Sequence, residues 1–187
     1  MTLKALVPIA DGSEEIEAVC IIDTLRRADI DVTVASVMGR REIKAARGTR
    51  ILADALIEAC LAETYDLIAL PGGMPGAEHL RDDPKLIALL KAQRSAGRLY
   101  GAICATPAVA LLPHGLLSGR RATCFPDMMP ALEKASDVEA VEARVVVDAN
   151  LVTSRGPGTA IEFALKLIEL LIDADTAEAI GDRMLVR

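Results

Sequence analysis

The chain has 187 residues, which is enough for one domain with a sizeable core, and we expect residues 1–187 to form a single domain. Apolar residues make up 52% of the chain but aromatic residues only 2%, so the core is expected to consist of Ala, Val, Ile and Leu. The net charge of -6 argues against a nucleic-acid partner, because nonspecific binding to nucleic acid depends on positive charge.

The sequence also argues against export and against a membrane segment. The first residues lack the pattern of a signal peptide, and the uncharged stretch over 99–119 is interrupted by proline and glycine. We therefore expect a cytoplasmic protein. The four cysteines form no C-x-x-C pair and have no close spacing to either histidine, so neither a metal site nor a disulfide framework is indicated.

Apolar runs and helical spacings predict nine elements along the chain. In chain order they are a strand (5–9), a helix (13–28), a strand (31–36), a hairpin (41–53), a buried strand (67–70), a helix (84–96), a strand (99–103), a hairpin (143–154) and a helix (159–172). Strands separated by helices of this length predict a mostly parallel sheet that is covered on both faces. The loops that follow the parallel strands are expected to meet at one edge of the sheet, where such folds bind ligands.

Cys104 follows the strand predicted over 99–103 and precedes an apolar helical pattern formed by Ala108, Leu111 and Leu112. A strand that turns abruptly into a helix exposes the residue at the bend, next to the free N–H groups of the helix N-terminus. That setting would lower the pKa of the thiol and favour the reactive thiolate. The alternative is that Cys104 is a small buried core residue, as most free cysteines are.

Glu17 lies on the apolar side of the first predicted helix, near Cys20 and Ile21 on the helical wheel. A buried carboxyl group without a partner has a raised pKa and stays protonated near neutral pH. The alternative is that Glu17 complements the helix dipole in the first turn, which is the interpretation we favour for Glu14 and Glu15. The apolar neighbours of Glu17 favour a functional role for this residue.

The loop PGGMPG at 71–76 follows the buried strand over 67–70. Adjacent glycines permit unusual backbone angles and let N–H groups approach a ligand closely. The spacing matches neither the dinucleotide fingerprint nor the P-loop, so nucleotide binding is not indicated. Beside a reactive thiolate, the N–H groups of Gly73 and Ala105 would form an oxyanion hole, whereas in isolation the loop would be an ordinary turn.

Four motifs occur in order along the chain and together resemble the ThiJ/PfpI superfamily. They are ADGSEEIE at 10–17, LPGG at 70–73, AICA at 102–105 and TSRGPGT at 153–159. Each motif alone is weak, but the four in register cover nearly the whole chain. The resemblance is closest to the branch that holds the Parkinsonism-associated deglycase and the bacterial YajL proteins.

The resemblance implies a flavodoxin-like α/β fold, a three-layer α/β/α sandwich with a mostly parallel central sheet, which forms a homodimer. It implies that Cys104 is a nucleophile and an oxidation-sensitive thiol, and that protonated Glu17 is hydrogen-bonded to it as acid and base. Gly73 and Ala105 would supply backbone donors. The other residues it places around the site are Gly72, Phe125 and Cys124 near the thiol, Pro157 reaching the neighbouring subunit's site, and Arg27, Arg47 and Arg155 along an anion-binding edge near the dimer interface.

Members of the superfamily are described as glyoxalases that convert methylglyoxal to lactate without glutathione, as deglycases of methylglyoxal or glyoxal adducts, and as redox-sensitive chaperones. The resemblance therefore implies a small α-oxoaldehyde or a glycated adduct as substrate, and no metal or organic cofactor. The rival interpretation is a non-enzymatic redox sensor, or a redox-regulated chaperone of the oxidative stress response, in which oxidation of Cys104 is itself the function.

Two positions depart from patterns in the superfamily. Ala105 follows the cysteine where the peptidase-like branch has a histidine, which argues against a Cys-His protease because the nucleophile would lack its base. Phe125 stands where eukaryotic members carry a histidine, and this leaves Glu17 as the one evident proton carrier. The neighbouring Cys124 is a candidate second oxidisable thiol.

Overall fold

The computed structural model describes residues 2–186. The strands are β1 (Lys4–Ile9), β2 (Asp31–Ser36), β3 (Glu42–Lys44), β4 (Arg50–Leu52), β5 (Ala55–Leu56), β6 (Leu67–Leu70), β7 (Leu99–Ile103), β8 (Arg120–Ala122), β9 (Val138–Ala140), β10 (Val145–Asp148) and β11 (Leu151–Ser154). The α-helices are α1 (Glu15–Arg27), α2 (Gly76–Asp82), α3 (Pro84–Ser95), α4 (Met129–Glu133), α5 (Ala160–Leu171) and α6 (Ala174–Arg183).

Seven strands form the central sheet, in the order β10-β11-β7-β6-β1-β2-β5. All neighbours in this sheet run parallel except β10 and β11, which form an antiparallel hairpin at one edge. The strands β3 and β4 form the separate hairpin expected over 41–53. This arrangement confirms the mostly parallel sheet and the flavodoxin-like α/β architecture.

Each face of the sheet is covered by its own apolar cluster. Ala18 and Ile21 of α1 and Phe163 of α5 pack on one face, whereas Leu86 of α3 and Leu111 pack on the other. The central strands are buried on both faces, so their sequences are continuous apolar runs. These are the three layers expected from the sequence.

The segment after Cys104 differs from the expected helix. It forms an irregular π-helical turn over Pro107–Leu111 and then a 3₁₀ turn over Leu112–His114. Pro113 has no backbone N–H to donate to an earlier carbonyl, so no regular α-helix continues past Leu112. No helix within residues 2–186 is both long and apolar enough to cross a membrane.

Candidate active site

Three loops meet at the carboxyl ends of β1, β6 and β7, as the sequence predicts. The Glu14 N–H donates to the Gly72 carbonyl at 2.9 Å, which joins the loop after β1 to the glycine loop after β6. The Thr106 hydroxyl donates to the Pro71 carbonyl at 2.6 Å, which joins the glycine loop to the segment after β7. Cys104 lies at this junction.

Cys104 has a backbone φ of 65°, in the left-handed region that a non-glycine residue seldom occupies. This conformation costs about 1–3 kcal/mol and requires support from the surrounding structure. Hydrogen bonds on both sides supply it, since the Cys104 N–H donates to the Ser154 carbonyl at 3.1 Å and its carbonyl accepts from the Phe125 N–H at 2.8 Å. The structure thus confirms the abrupt turn predicted after β7.

Glu17 is fully buried at the start of α1. Its Oε2 atom accepts a hydrogen bond from the Gly72 N–H at 2.7 Å. Its Oε1 atom has no hydrogen bond of ordinary geometry within residues 2–186, although the carboxyl and the Cys104 thiol lie close enough to perturb each other's ionisation. The expectation that Glu17 faces the protein interior is confirmed.

Burial raises the pKa of Glu17 to about 7, although the Gly72 N–H opposes the increase. Burial also raises the pKa of Cys104 to about 12, and the negative charge of ionised Glu17 adds to the increase. The prediction of a lowered thiol pKa is therefore wrong. Loss of hydration outweighs the N–H groups near the sulfur.

The carboxyl of Glu17 and the thiol of Cys104 titrate as a pair. Because the charge of Glu17 itself helps to raise the pKa of Cys104, the pair retains one proton between the two pKa values of about 7 and about 12. Because the carboxyl group has the lower of the two pKa values, that proton lies mainly on the sulfur. The sulfur becomes an anion when the proton moves to the carboxyl group, so Glu17 itself can serve as the base for the thiol.

Two backbone N–H groups act on the sulfur, one from the glycine loop and one from the residue after Cys104. The N–H groups of Gly73 and Ala105 both oppose the increase in the pKa of the Cys104 thiol. Gly73 has a φ of 90°, and a Cβ there would lie 2.3 Å from the Gly12 carbonyl oxygen. A Cβ at Gly72 would lie 2.5 Å from the Cβ of Cys104. The close contact of the loop with Cys104 therefore requires Gly72, and its contact with the loop after β1 requires Gly73.

Phe125 and Cys124 lie beside Cys104 along the backbone, but their side chains point into different layers. Phe125 is partly buried and packs against the cluster that contains Cys104, whereas Cys124 is fully buried in the cluster on the opposite face of the sheet. Burial raises the pKa of Cys124 to about 12, and its sulfur contacts the Met129 sulfur at 3.7 Å. This environment does not favour Cys124 as a second oxidisable thiol.

The three arginines named by the resemblance lie on different elements of the single chain. Arg27 ends α1, about 15 Å along the helix from Glu17 at 1.5 Å per residue, and pairs with Asp23 at 2.6 Å. Arg47 lies on an exposed loop, whereas Arg155 directly follows β11 next to the site. The buried Nε atom of Arg155 has no partner within residues 2–186.

Pro157 lines a surface groove of about 1040 Å³ between α1, α5 and α6. The chain's own Cys104 does not line that groove. Within residues 2–186, no cluster of three or more His, Cys, Asp or Glu side chains is arranged to hold a metal ion.

A hydroxyl network that the sequence patterns did not predict holds the loop after β11. The Ser154 and Thr159 hydroxyls are 2.7 Å apart, and Thr159 also accepts from the Gly156 N–H at 3.1 Å. The Ser154 hydroxyl donates to the Arg144 carbonyl at 2.7 Å. This network fixes the carbonyl that supports Cys104. The sequence shows hydroxyl residues at Thr153, Ser154 and Thr159, but it does not reveal which groups they bind.

Comparison with known proteins gives consistent matches. The model of the DJ-1/PfpI family matches residues 3–170. The chain is 51% identical over 168 residues to "Protein DJ-1 homolog B" of Arabidopsis thaliana, covering 90% of this chain and 38% of that protein. It thus spans less than half the length of that relative, and of "Protein DJ-1 homolog A" of the same plant, of which it covers 46%.

Other matches extend over nearly the full length of both proteins. "Glutathione-independent glyoxalase DJR-1.2" of Caenorhabditis elegans is 39% identical over 166 residues, covering 89% of this chain and 86% of that protein. The solved structure "Toxoplasma gondii DJ-1, oxidized" has a TM-score of 0.95 and 51% identity, covering 99% of each chain. These matches show the family, and the branch expected from the motifs stays a prediction.

Proposed function

Because the chain belongs to the DJ-1/PfpI family, we propose that it is a glutathione-independent glyoxalase that acts on small α-oxoaldehydes such as methylglyoxal. The observation that carries this proposal is the buried pair of Cys104 and Glu17. Cys104 has a strained backbone conformation, and the Oε1 atom of Glu17 has no other partner within residues 2–186, so the two side chains can share one proton. The name of the Caenorhabditis elegans relative supports the same activity.

The proposed reaction begins when Glu17 takes the proton of the Cys104 thiol and the sulfur adds to the aldehyde carbon. As the C–S bond forms, the carbonyl π bond opens, and Glu17 passes its proton to the new oxygen anion, which gives a hemithioacetal and a free carboxylate. That carboxylate takes the proton from the former aldehyde carbon and delivers it to the neighbouring carbon, while the hemithioacetal hydroxyl proton passes to the neighbouring oxygen, which gives a thioester of lactate. Water hydrolyses the thioester, releasing lactate and the free thiol. The sum is methylglyoxal plus water to lactate, without an external reductant or oxidant.

The N–H groups of Gly73 and Ala105 would stabilise the oxygen anion that develops as the sulfur attacks. Their position next to the sulfur supports this role. A methylglyoxal adduct on an amine or a thiol presents the same two carbons, so the same steps on such an adduct would constitute a deglycase. No metal or organic cofactor is needed for any of these steps.

The test is the formation of lactate from methylglyoxal by the wild-type protein and by Cys104→Ser. We expect kcat/KM of the variant to fall at least about a thousandfold. A serine hydroxyl is a far weaker nucleophile than a thiolate, and it needs a stronger base than Glu17 to remove its proton. Cys60→Ser is the matched control, since Cys60 is buried in the opposite layer. Lactate formation by Cys104→Ser at a rate close to that of the wild type would exclude the covalent route.

A second function, redox sensing, is favoured by the same pair and by the oxidized structure of the Toxoplasma gondii relative. Peroxide would convert the Cys104 thiol to a sulfenic acid and water, and a second peroxide would give the sulfinic acid. A protonated Glu17 would donate a hydrogen bond to that sulfinate. Addition of two oxygen atoms to Cys104 under mild peroxide, without turnover of any aldehyde, would favour the sensor over the enzyme.

We further propose that the chain forms a homodimer through the groove between α1, α5 and α6. Ile16 lines this groove and is 54% exposed, and Val19 on the same helix is 50% exposed, so α1 presents apolar surface that a second copy could cover. In that arrangement Pro157 would approach the neighbouring subunit's site. Val19→Asp should convert a dimer to a monomer in light scattering, and an unchanged dimer mass would exclude this face.

A further inference from the structure

Phe125 is unusual among the aromatic residues of this chain. The sequence holds only two tyrosines, two phenylalanines and no tryptophan. Tyr65, Tyr100 and Phe163 are buried in the two cores, whereas Phe125 is partly exposed beside Cys104. A partly exposed ring next to a nucleophile offers apolar surface that a ligand can cover.

The backbone fixes the position of Phe125 relative to the sulfur. Its N–H donates to the Cys104 carbonyl at 2.8 Å, and its own carbonyl accepts from the Met128 N–H at 2.8 Å. Its ring lies against the loop after β11, 3.5 Å from where a Cβ on Gly156 would lie. That loop follows directly from Ser154, whose carbonyl accepts from the Cys104 N–H at 3.1 Å. The same two backbone segments therefore hold both the nucleophile and the ring.

The surroundings of the sulfur divide into a polar part and an apolar part. The N–H groups of Gly73 and Ala105 and the carboxyl of Glu17 act on the sulfur itself. The side chain of Phe125 packs against the cluster that contains Cys104 and adds an apolar surface. An α-oxoaldehyde R–CO–CHO has the same division, with two adjacent oxygens at the reacting end and the group R at the other.

We propose that Phe125 forms the wall that receives the group R, so that the site prefers α-oxoaldehydes with an aryl or larger alkyl substituent over glyoxal, in which R is hydrogen. This inference rests on the proposed function and assigns its substrate class. The site contacts two parts of the substrate: the polar groups hold the aldehyde end, and the ring of Phe125 selects among substituents. Contacts with an apolar wall of this kind typically discriminate by about 10- to 200-fold.

The first test compares kcat/KM for phenylglyoxal and glyoxal in the wild type, Phe125→Leu and Phe125→Ala. We expect the ratio of the two values to fall by about tenfold or more in Phe125→Ala and by less in Phe125→Leu. Comparing ratios between variants removes differences in hydration and intrinsic reactivity of the aldehydes. Leu61→Ala, a truncation of an exposed apolar residue away from the site, should leave the ratio unchanged.

A second test does not depend on turnover. Alkylation rates of Cys104 with N-phenylmaleimide and N-methylmaleimide give the same size comparison, and Cys104→Ser corrects for the other thiols. We expect Phe125→Ala to lose the preference for the phenyl reagent. Absence of aldehyde turnover in the wild type would overturn the proposed function, whereas ratios unchanged within twofold in both Phe125 variants and with both reagent pairs would overturn the role of Phe125.

Discussion

The polar groups at the two ends of the central sheet differ in how fully they are hydrogen-bonded. At the amino ends of the strands, Asn150 donates to the Arg98 carbonyl at 2.8 Å and Gln93 donates to the Tyr65 carbonyl at 2.9 Å. At the carboxyl ends, Glu17 keeps a buried oxygen without a partner within residues 2–186, and Cys104 adopts a strained backbone conformation.

This contrast separates stability from reactivity. Paired buried groups stabilise a fold, while an unpaired buried carboxyl next to a strained thiol costs free energy that other parts of the structure must offset. The well-paired end therefore contributes stability that offsets the cost of the site end. Substitutions at the site end should change reactivity, and substitutions at the opposite end should change stability alone.

The largest effect is expected for Glu17→Gln, which keeps the shape of the side chain but removes its proton transfer. We expect kcat/KM for methylglyoxal to fall by about 10²- to 10⁴-fold, the usual contribution of general acid–base catalysis. Glu58→Gln changes an exposed carboxylate that pairs with Lys85, and it should leave the rate unaltered. A Glu17→Gln variant that retains more than a tenth of the activity would contradict the role of the pair.

Gly72→Ala should disturb the site because the added Cβ would overlap atoms of Cys104 and Glu17. Its Cβ would lie 2.5 Å from the Cβ of Cys104 and 2.8 Å from the Oε2 atom of Glu17, so one of them must move. We expect at least a tenfold loss of activity and a loss of stability of about 1–3 kcal/mol. Gly97→Ala is the control, because φ is 70° there but the space is open. It should lower the free energy of unfolding and leave kcat/KM within twofold, and equal loss of activity in both variants would refute the contact argument.

The raised pKa of Glu17 predicts a pH dependence of stability. The Glu17 carboxyl has a pKa of about 7 in the folded protein and of 4.5 in the unfolded chain. The folded state therefore binds the proton more tightly, and the stability that this group contributes at low pH is lost as the pH rises from 4.5 to about 7. The free energy of unfolding of the wild type should fall by roughly 2–3 kcal/mol relative to Glu17→Gln between pH 5 and 8. Urea titrations of both proteins at the two pH values measure this difference, and parallel behaviour would show that the carboxyl has an ordinary pKa.

The smallest effect is expected at the amino ends of the strands. Asn150→Ala removes the hydrogen bond to the Arg98 carbonyl and leaves that partly buried group less well satisfied. We expect the free energy of unfolding to fall by about 1–2 kcal/mol, with kcat/KM unchanged. A loss of activity without a loss of stability would mean that the two ends are coupled more closely than their hydrogen bonds indicate.

The fold was predictable from the sequence because its signals are local and strong. The central strands are continuous apolar runs, and the helices α1, α3 and α5 carry regular apolar spacing, so their positions agree with the structure to within two residues. The sequence missed α2 and α6, whose apolar residues are few and interrupted by charges. The sequence pattern also predicted a regular helix after Cys104, where the structure has a π-helical turn followed by a 3₁₀ turn that contains Pro113.

The site was predictable in its residues but not in its electrostatics. Helical spacing was enough to place Glu17 inside the protein, and the end of a strand was enough to place Cys104 at a turn. The pKa of the thiol depends instead on how deeply the sulfur is buried and how close the carboxyl lies, and both are set by packing between distant segments. No local pattern carries that information.

The most direct test of the coupled pair is the pH dependence of Cys104 alkylation by iodoacetamide, measured by mass spectrometry in the wild type and in Glu17→Gln. In the wild type, the first proton leaves the pair near the Glu17 pKa of about 7, so we expect the alkylation rate to rise with a midpoint near that pH. In Glu17→Gln the sulfur must lose its own proton in a buried setting, and the midpoint should move up by at least about one pH unit. The same midpoint in both proteins would contradict the sharing of a proton between Cys104 and Glu17.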